Sequence, residues 1–79
     1  NMEIKIYPNP VTERVNIAFT AMPEPGTKIS LLDITGRELE GRNAESMNET
    51  FEVQHLPAGI YLIKTELNNN FSVNKIIKG

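Results

Sequence analysis

Residues 60–78, with the sequence IYLIKTELNNNFSVNKIIK, decide the fold because they form the clearest hairpin pattern in the chain. The two flanking segments, Ile60–Leu67 and Phe71–Lys78, are rich in β-branched and aromatic residues, which favour strands. Between them lies Asn68–Asn70, and asparagine tolerates the left-handed backbone conformation that a short hairpin loop needs. The segment therefore predicts two antiparallel strands joined by a tight loop.

The register of this hairpin depends on the length of its loop. We expect a three-residue loop, Asn68–Asn70, which gives these cross-strand pairs: Leu67 with Phe71, Thr65 with Val73, Ile63 with Lys75, Tyr61 with Ile77, Leu62 with Ile76, and Ile60 with Lys78. The first four pairs share the face expected to form the core, and the last two share the opposite face. That opposite face then carries Ile60, Leu62 and Ile76, more apolar side chains than a solvated face requires. A two-residue loop would mix the two sets, so this register is a hypothesis.

The rest of the chain shows the alternation of apolar and polar residues that marks half-buried strands. Strands are predicted around Ile4–Ile6, Val11–Thr20, Lys28–Ile34, Arg37–Glu40 and Thr50–Gln54. Turns are predicted at Tyr7–Pro10, Met22–Gly26, Asp33–Gly36 and Leu56–Gly59, and a polar loop at Gly41–Ser46. With the hairpin, this makes about seven short strands and no helical period. The pattern predicts an all-β fold, an antiparallel β-sandwich, with a small closed barrel as the alternative.

The composition limits the chain to one small domain, predicted to span residues 1–79. The chain has 79 residues, with 10 acidic and 8 basic side chains and no cysteine. The lack of cysteine excludes disulfides, a thiol nucleophile and cysteine-ligated zinc. An isoelectric point near 5.3 argues against nucleic acid or an anionic membrane as a partner, since both require a basic surface.

Neither a membrane span nor a signal peptide is predicted. The longest apolar run, Ala58–Ile63, is far shorter than the roughly 20 residues that cross a bilayer. The first five residues already alternate as a strand does, which a signal peptide would not. Because the chain begins with Asn1 instead of methionine, we interpret it as a piece of a larger protein. Asn1, with Met2 as an option, is interpreted as a remnant of cloning.

The sequence offers no constellation of catalytic, cofactor-binding or metal-binding residues. His55 is the only histidine and is expected to be a surface or turn residue. Asp33 is the only aspartate, and we interpret its side chain as the acceptor that closes the turn to Gly36. No serine lies in a nucleophile elbow, and the glutamates are scattered along strand faces. The chain is therefore predicted not to be an enzyme and to need no cofactor or metal.

Two features have both a structural and a functional interpretation. Tyr61, directly after Pro57-Ala58-Gly59, is typical of a core aromatic residue whose hydroxyl caps a corner of a sandwich. Near residue 79, the adjacent Ile76 and Ile77 cannot both enter one core from a regular strand, and Lys75 shares its phase with Ile77. A bulge or a snorkelling lysine explains this arrangement structurally. A terminal strand presented to a partner explains it functionally.

Four motifs occur in a specific order along the chain: Tyr7-Pro8-Asn9-Pro10, Asp33-Ile34-Thr35-Gly36-Arg37, Leu56-Pro57-Ala58-Gly59-Ile60-Tyr61-Leu62-Ile63, and Lys75-Ile76-Ile77-Lys78-Gly79. Each motif alone is a common turn sequence, but the four together, in this order and with these spacings, are specific for one family. The chain resembles the type A C-terminal sorting domain of cargo proteins of the type IX (Por) secretion system, and the resemblance covers essentially all of it.

The resemblance implies an Ig-like β-sandwich at the end of a larger secreted protein of a Gram-negative bacterium. Such a cargo crosses the inner membrane by an N-terminal signal. The folded domain is then recognised in the periplasm and directs export through the outer membrane. A sortase-like peptidase commonly removes the domain and joins the cargo to surface lipopolysaccharide. The implied partners are therefore the type IX machinery and that peptidase, and the implied destination is the cell surface or the medium.

In that family the last strand and its lysine-containing end belong to the export signal. This carries over here to Gly59, Tyr61, Lys75, Ile76, Ile77 and Lys78. The residues expected to shape the motif turns are Pro8, Asn9, Pro10, Asp33, Gly36, Arg37 and Pro57. The chain departs from the family at Asn74, where many members have a second lysine before Lys75. This departure argues against a strict need for a doubled charge.

An alternative function is a structural or carbohydrate-binding module of a secreted hydrolase or adhesin. Carbohydrate sites usually present several exposed aromatic side chains. This chain has only two tyrosines and three phenylalanines, and most of them fall on predicted core positions or turns. The aromatic content therefore favours the sorting domain over the carbohydrate-binding module.

Overall fold

The fold is described by a computed structural model over residues 3–79, and the interpretation of Asn1 and Met2 as a cloning remnant lies outside the described residues. The described part contains seven strands: β1 (Ile4–Tyr7), β2 (Arg14–Phe19), β3 (Lys28–Leu32), β4 (Glu38–Asn43), β5 (Asn48–Glu52), β6 (Gly59–Leu67) and β7 (Asn70–Lys78). They form a three-stranded sheet in the order β1-β2-β5 and a four-stranded sheet in the order β4-β3-β6-β7. All strand pairs within the two sheets are antiparallel. The predicted antiparallel β-sandwich is confirmed, and the closed-barrel alternative is wrong because the strands form two separate sheets.

The core lies between the two sheets and follows the alternation in the sequence. In β2, Val15, Ile17 and Phe19 are buried, whereas the residues between them are only partly buried. In β6, Tyr61 and Ile63 are buried in the same way. The complete set of buried apolar residues is Val11, Val15, Ile17, Phe19, Ile29, Leu31, Ala44, Phe51, Val53, Tyr61, Ile63 and Ile76. Burying this set stabilises the domain without any covalent cross-link.

The turn between β3 and β4 is organised by Asp33. The Gly36 amide donates to the Asp33 carbonyl at 2.9 Å, and Gly36 has a φ of 91°, a conformation that glycine adopts at little cost. The Asp33 carboxylate accepts hydrogen bonds from the Thr35 hydroxyl at 2.6 Å and from the Arg37 amide at 3.0 Å. The Thr35 hydroxyl is the main cause of the lowered pKa of Asp33, and the amides of Arg37 and Thr35 add to it. The side chain thus holds its own turn in place, but the predicted side-chain bond to Gly36 is wrong, because the Gly36 amide bonds to the main-chain carbonyl of Asp33 instead.

Two predictions about local structure are wrong. Gly41–Ser46 is not a loop throughout, because β4 continues to Asn43 and pairs with β3. This edge strand is held by backbone pairing and has polar side chains, so it shows no apolar alternation. The hydrogen-bonded turn before β6 joins the Leu56 amide to the Val53 carbonyl at 3.0 Å, and it therefore precedes Leu56–Gly59.

The register predicted for the last hairpin is also wrong by one residue. The loop is Asn68-Asn69, Leu67 lies opposite Asn70, and Tyr61 lies opposite Ile76. Asn68 takes the left-handed conformation with a φ of 57°. Two-residue loops match the twist of the flanking strands, and a shift of one residue moves each β7 side chain to a new partner.

Tyr61 has the structural role that its position predicts. Its ring is 7% exposed, and its hydroxyl donates a hydrogen bond to the Pro57 carbonyl at 2.7 Å. The bond ties the segment that precedes β6 to the core. The core interpretation of Tyr61 is therefore confirmed.

The edges of the two sheets are joined through Arg42 and Glu49. The Glu49 carboxylate accepts hydrogen bonds from the Glu45 amide at 2.8 Å, the Ser46 amide at 3.1 Å and Arg42 Nη2 at 3.2 Å. Arg42 also lies over the Phe51 ring, with its guanidinium carbon 4.6 Å from the ring centroid. Burial opposes ionisation of Glu49, but the two amides and the guanidinium outweigh it, and the pKa of Glu49 lies below its ordinary value of 4.5.

Replacing Tyr61 separates the contribution of its ring from that of its hydroxyl. Tyr61→Phe leaves the Pro57 carbonyl without its partner and is expected to lower the free energy of unfolding by about 1 kcal/mol. Tyr61→Ala also empties part of the core and is expected to cost about 3–5 kcal/mol. Urea unfolding measures both, with Tyr7→Phe as the control, since Tyr7 is 44% exposed. Equal losses for Tyr61→Phe and Tyr7→Phe would show that the hydroxyl contributes nothing.

Glu49→Gln is expected to lower the free energy of unfolding by about 1–3 kcal/mol at pH 7, because charge-assisted hydrogen bonds are weakened. A carboxylate with a lowered pKa stabilises the fold above its unfolded-state pKa, and this contribution is lost as the pH falls through the lower folded-state pKa. The difference between Glu49→Gln and the natural chain should therefore shrink below pH 4.5. Urea unfolding at pH 7 and in acid tests this, with Glu45→Gln as control. A difference that does not change with pH would contradict the assignment.

Candidate recognition site on the last hairpin

The last strand lies at one edge of the four-stranded sheet, and its side chains alternate between the core and the solvent. Ile76 is the buried residue of β7, at 1% exposure, whereas its neighbour Ile77 is 45% exposed. The adjacent isoleucines therefore point to opposite faces of a regular strand, and no bulge interrupts the pairing of β7 with β6. The other outward-facing residues of β7 are Phe71, Val73 and Lys75, and all three are exposed.

An apolar surface covers the outer face of the last hairpin. We call it the terminal patch; it consists of Ile60, Leu62, Phe71, Val73 and Ile77. The exposed fractions are 39% for Ile60, 61% for Phe71, 46% for Val73 and 45% for Ile77, and Leu62 is half-buried. Ile60 lies opposite Ile77 across the two strands, so the apolar side chains adjoin. An exposed apolar surface of this kind on a small domain is typical of a contact site.

Lysines lie within and beside the terminal patch. Lys75 is exposed and lies opposite Leu62, and it forms no ion pair within residues 3–79. Lys64 lies opposite Val73, with its Nζ 4.9 Å from the centroid of the Phe71 ring and 3.8 Å from Glu66. Lys75 is thus a cation surrounded by apolar side chains and available to a partner.

The segment between β1 and β2 covers the end of β7. The Asn9 side chain accepts a hydrogen bond from the Ile77 amide at 2.9 Å and donates one to the Lys75 carbonyl at 3.4 Å. The Val11 amide donates to the Ile77 carbonyl at 2.8 Å, and the Gly79 amide donates to the Val11 carbonyl at 2.9 Å. Asn9 and Val11 therefore provide hydrogen-bond partners for the backbone groups of residues 75–79 that point away from β6, from the Lys75 carbonyl to the Gly79 amide. We call this set of four hydrogen bonds the Asn9 clamp.

The structure gathers the four motifs at one end of the sandwich. Pro8 and Pro10 flank Asn9 and follow cis peptide bonds. Gly59 lies opposite Lys78, and the Pro57 carbonyl accepts the bond from Tyr61. Because Leu32 lies opposite Leu62, the turn that contains Asp33, Gly36 and Arg37 leaves the sheet at the same end as Gly59.

The residues predicted for recognition divide into two groups by burial. Tyr61 and Ile76 lie opposite each other and are both buried in the core. Lys75 and Ile77 are exposed, and Lys78 is half-buried, with its Nζ 3.1 Å from the Gly79 carbonyl oxygen. Gly59 is exposed at the start of β6. Only the second group can touch a partner of the folded domain.

The chemistry available elsewhere in the described chain is sparse. His55 is exposed, and its side chain makes no hydrogen bond or ion pair that the structure of residues 3–79 shows. No group of three or more histidine, aspartate or glutamate residues within that range is placed to hold a metal ion. The same range contains no helix that is long and apolar enough to span a membrane.

Asn9→Ala tests whether the clamp holds the end of β7. Loss of the side chain leaves the Ile77 amide without its acceptor, so its hydrogen exchange should accelerate far more than that of the Ile76 amide. The free energy of unfolding should fall by about 1 kcal/mol. Amide exchange by NMR measures this, with Asn16→Ala as the control, because Asn16 bonds to Tyr7 and Thr50 instead. Unchanged protection of Ile77 would contradict the clamp.

Comparison with known proteins gives the chain a family. The family model described as "Secretion system C-terminal sorting domain" matches residues 5–79, and no curated protein matches the chain. This family comprises sorting signals of type IX secretion and is non-catalytic in general. Membership implies interaction with the type IX machinery and export through the outer membrane to the cell surface or the medium. The chain therefore belongs to the type IX secretion system C-terminal sorting domain family.

Proposed function

We propose that this domain directs a larger cargo protein through the outer membrane and is then cleaved from it, leaving the cargo attached to the cell surface. In this proposal the domain passes through the periplasm in its folded form, and a sortase-like peptidase performs the cleavage. The domain itself has no catalytic activity. The family assignment supports the sorting role, and the terminal patch is the observation that carries the proposal about the site.

The machinery contacts the exposed members of the predicted recognition set. Lys75 and Ile77 project from the outer face of β7, and Gly59 and Lys78 form the adjoining end of the hairpin. Lys75 supplies a charge that forms no ion pair among residues 3–79, and Ile77 supplies apolar contact area. The apolar area of Ile77 favours binding to a partner over solvation, and the charge of Lys75 favours a partner of opposite charge.

Tyr61 and Ile76 act from inside the core. They lie opposite each other across the hairpin, and their packing fixes the face on which Lys75 and Ile77 appear. A change at either position would alter recognition by disturbing β7, not by removing a contact. The two groups therefore differ in what they do to stability, and this difference makes them separable by experiment.

The distribution of aromatic side chains does not support carbohydrate binding. Phe19, Phe51 and Tyr61 are buried, so only Tyr7 and Phe71 remain exposed among the aromatic residues of the described chain. Tyr7 lies on β1 and Phe71 on β7, in different sheets. These two rings do not form the shared aromatic platform that a sugar would stack on.

An export assay tests the sorting role and the site together. The domain is fused to a periplasmic reporter in a cell with a type IX system, and the reporter is measured in the periplasm, at the surface and in the medium. The fusion with the natural domain should leave the periplasm. Lys75→Ala and Ile77→Ser should cause the reporter to accumulate there, while the melting temperature of the domain stays nearly unchanged, because exposed substitutions typically cost less than about 0.5 kcal/mol.

Lys5→Ala is the matched control, because Lys5 is an exposed lysine on β1 in the other sheet. Lys5→Ala should be exported normally. Normal export of Lys75→Ala and Ile77→Ser as well would contradict the proposed site. Retention of the reporter with the natural domain would contradict the sorting role itself. Cleavage is tested on the exported reporter, which should be smaller by the 8.9 kDa of the domain. Export of the uncleaved fusion would contradict cleavage while leaving the sorting role intact.

A further inference from the structure

The four edge strands of the sandwich differ in how they are protected. Strand β1 has four residues and is followed by prolines, and β5 is flanked by Arg42, which donates to the Thr50 carbonyl at 2.5 Å. Strand β4 carries charged residues and a register shift opposite Leu31 and Leu32. Short length, charge, proline and irregular pairing all prevent an edge from adding another strand.

Strand β7 is protected along only part of its edge. It has nine residues, and alternate residues direct their backbone groups toward β6 or away from it. The Asn9 clamp occupies the outward groups from the Lys75 carbonyl to the Gly79 amide. The outward groups of Phe71 and Val73 and the Lys75 amide bond to no other group of the described chain. We call the segment Phe71–Lys75 the open edge.

The open edge also carries apolar side chains and a lysine. Phe71 and Val73 are exposed members of the terminal patch, and Lys75 forms no ion pair with a carboxylate in the part of the chain that the structure describes. A strand that pairs with this edge would place its residues beside these side chains on the outer face. Apolar residues would be favourable beside Phe71 and Val73, and an acidic residue would be favourable beside Lys75.

We propose that an extended segment of the type IX machinery, with an acidic side chain opposite Lys75 and apolar side chains opposite Val73 and Phe71, adds as a fifth strand to the open edge. This inference rests on the proposed function and specifies how its site is bound. Backbone hydrogen bonds supply affinity for the outward amides and carbonyls, and the alternate side chains supply specificity. The Asn9 clamp sets the limit of the pairing, because the groups beyond Lys75 are already occupied.

Val73→Pro tests the backbone pairing in the export assay. The Val73 amide points away from β6, so proline removes a hydrogen bond to the added strand while leaving the pairs with β6 intact. Export should fall by about tenfold, the effect of losing one such bond. Val73→Ala keeps the amide and shortens the side chain, so it should lower export much less. Equal export for Val73→Pro and the natural domain, with both folded, would overturn the pairing.

Two further pairs of variants complete the test. The first pair is used if Val73→Pro destabilises the domain, and the second pair tests the charge of Lys75. If Val73→Pro lowers the melting temperature, Phe71→Pro removes the next outward amide, with Phe71→Ala as its control, and the same outcomes apply. Lys75→Glu should reduce export about tenfold more than Lys75→Gln, because it places like charges opposite each other. Equal loss for these two variants would overturn the acidic partner.

The oligomeric state of the purified domain decides between the machinery and a second copy as the occupant. The domain should sediment as a monomer of 8.9 kDa. A dimer that Val73→Pro dissociates would overturn the proposal, since a second copy would then occupy the open edge. Retention of a reporter with the natural domain would instead contradict the proposed function, so the two failures are distinguishable.

Discussion

The packing of Ile76 against the core is the constraint on which the last strand depends. Ile76 is the only apolar side chain that β7 buries, and the other residues on the same face of this strand are Asn70, Ser72, Asn74 and Lys78. The buried hydroxyls of Thr65 and Ser72, which lie opposite each other, make no hydrogen bond to any group of residues 3–79. Strand β7 is therefore attached through its backbone ladder, one isoleucine and the clamp. These attachments fix the orientation of β7 in the sheet, although the strand buries little apolar area.

The two halves of β7 are consequently different in their availability to a partner. The half after Lys75 is held on both sides, by β6 and by the Asn9 clamp. The half before it is held on one side and carries the most exposed ring of the domain, that of Phe71. The clamp thus stabilises the hairpin and leaves a defined part of it free. Both properties follow from one short segment between β1 and β2.

Sequence patterns account for most of the fold and for less of the site. The alternation of apolar and polar residues in β2 and β6 identified the core, because every second side chain of a strand points to the same face. The polar strand β4 was missed in part because an edge strand held by its backbone has no apolar period. The hairpin register was wrong because its asparagines allow two loop lengths, and the choice between Ile76 and Ile77 as the core residue is made by packing against Tyr61.

The Asn9 clamp could not be predicted from one sequence. Asn9 and Ile77 are 68 positions apart, and the sequence around neither residue predicts a contact with the other. Each proline beside Asn9 indicates a turn, but only the completed sandwich shows which edge that turn reaches. The resemblance to the sorting domain family singled out both segments without saying that they touch. The contact between them is the physical reason to treat the first and last motifs as one unit.

The order in which the strands are synthesised gives the position of Ile76 a further meaning. A ribosome makes β7 last of the seven described strands, so the core has a vacancy and the clamp has no counterpart until residues 70–79 have emerged. A chain that is truncated before this point lacks Ile76, the three β7 members of the terminal patch and the open edge together. The proposed recognition site is thus complete only after β7 has been synthesised and has paired with β6.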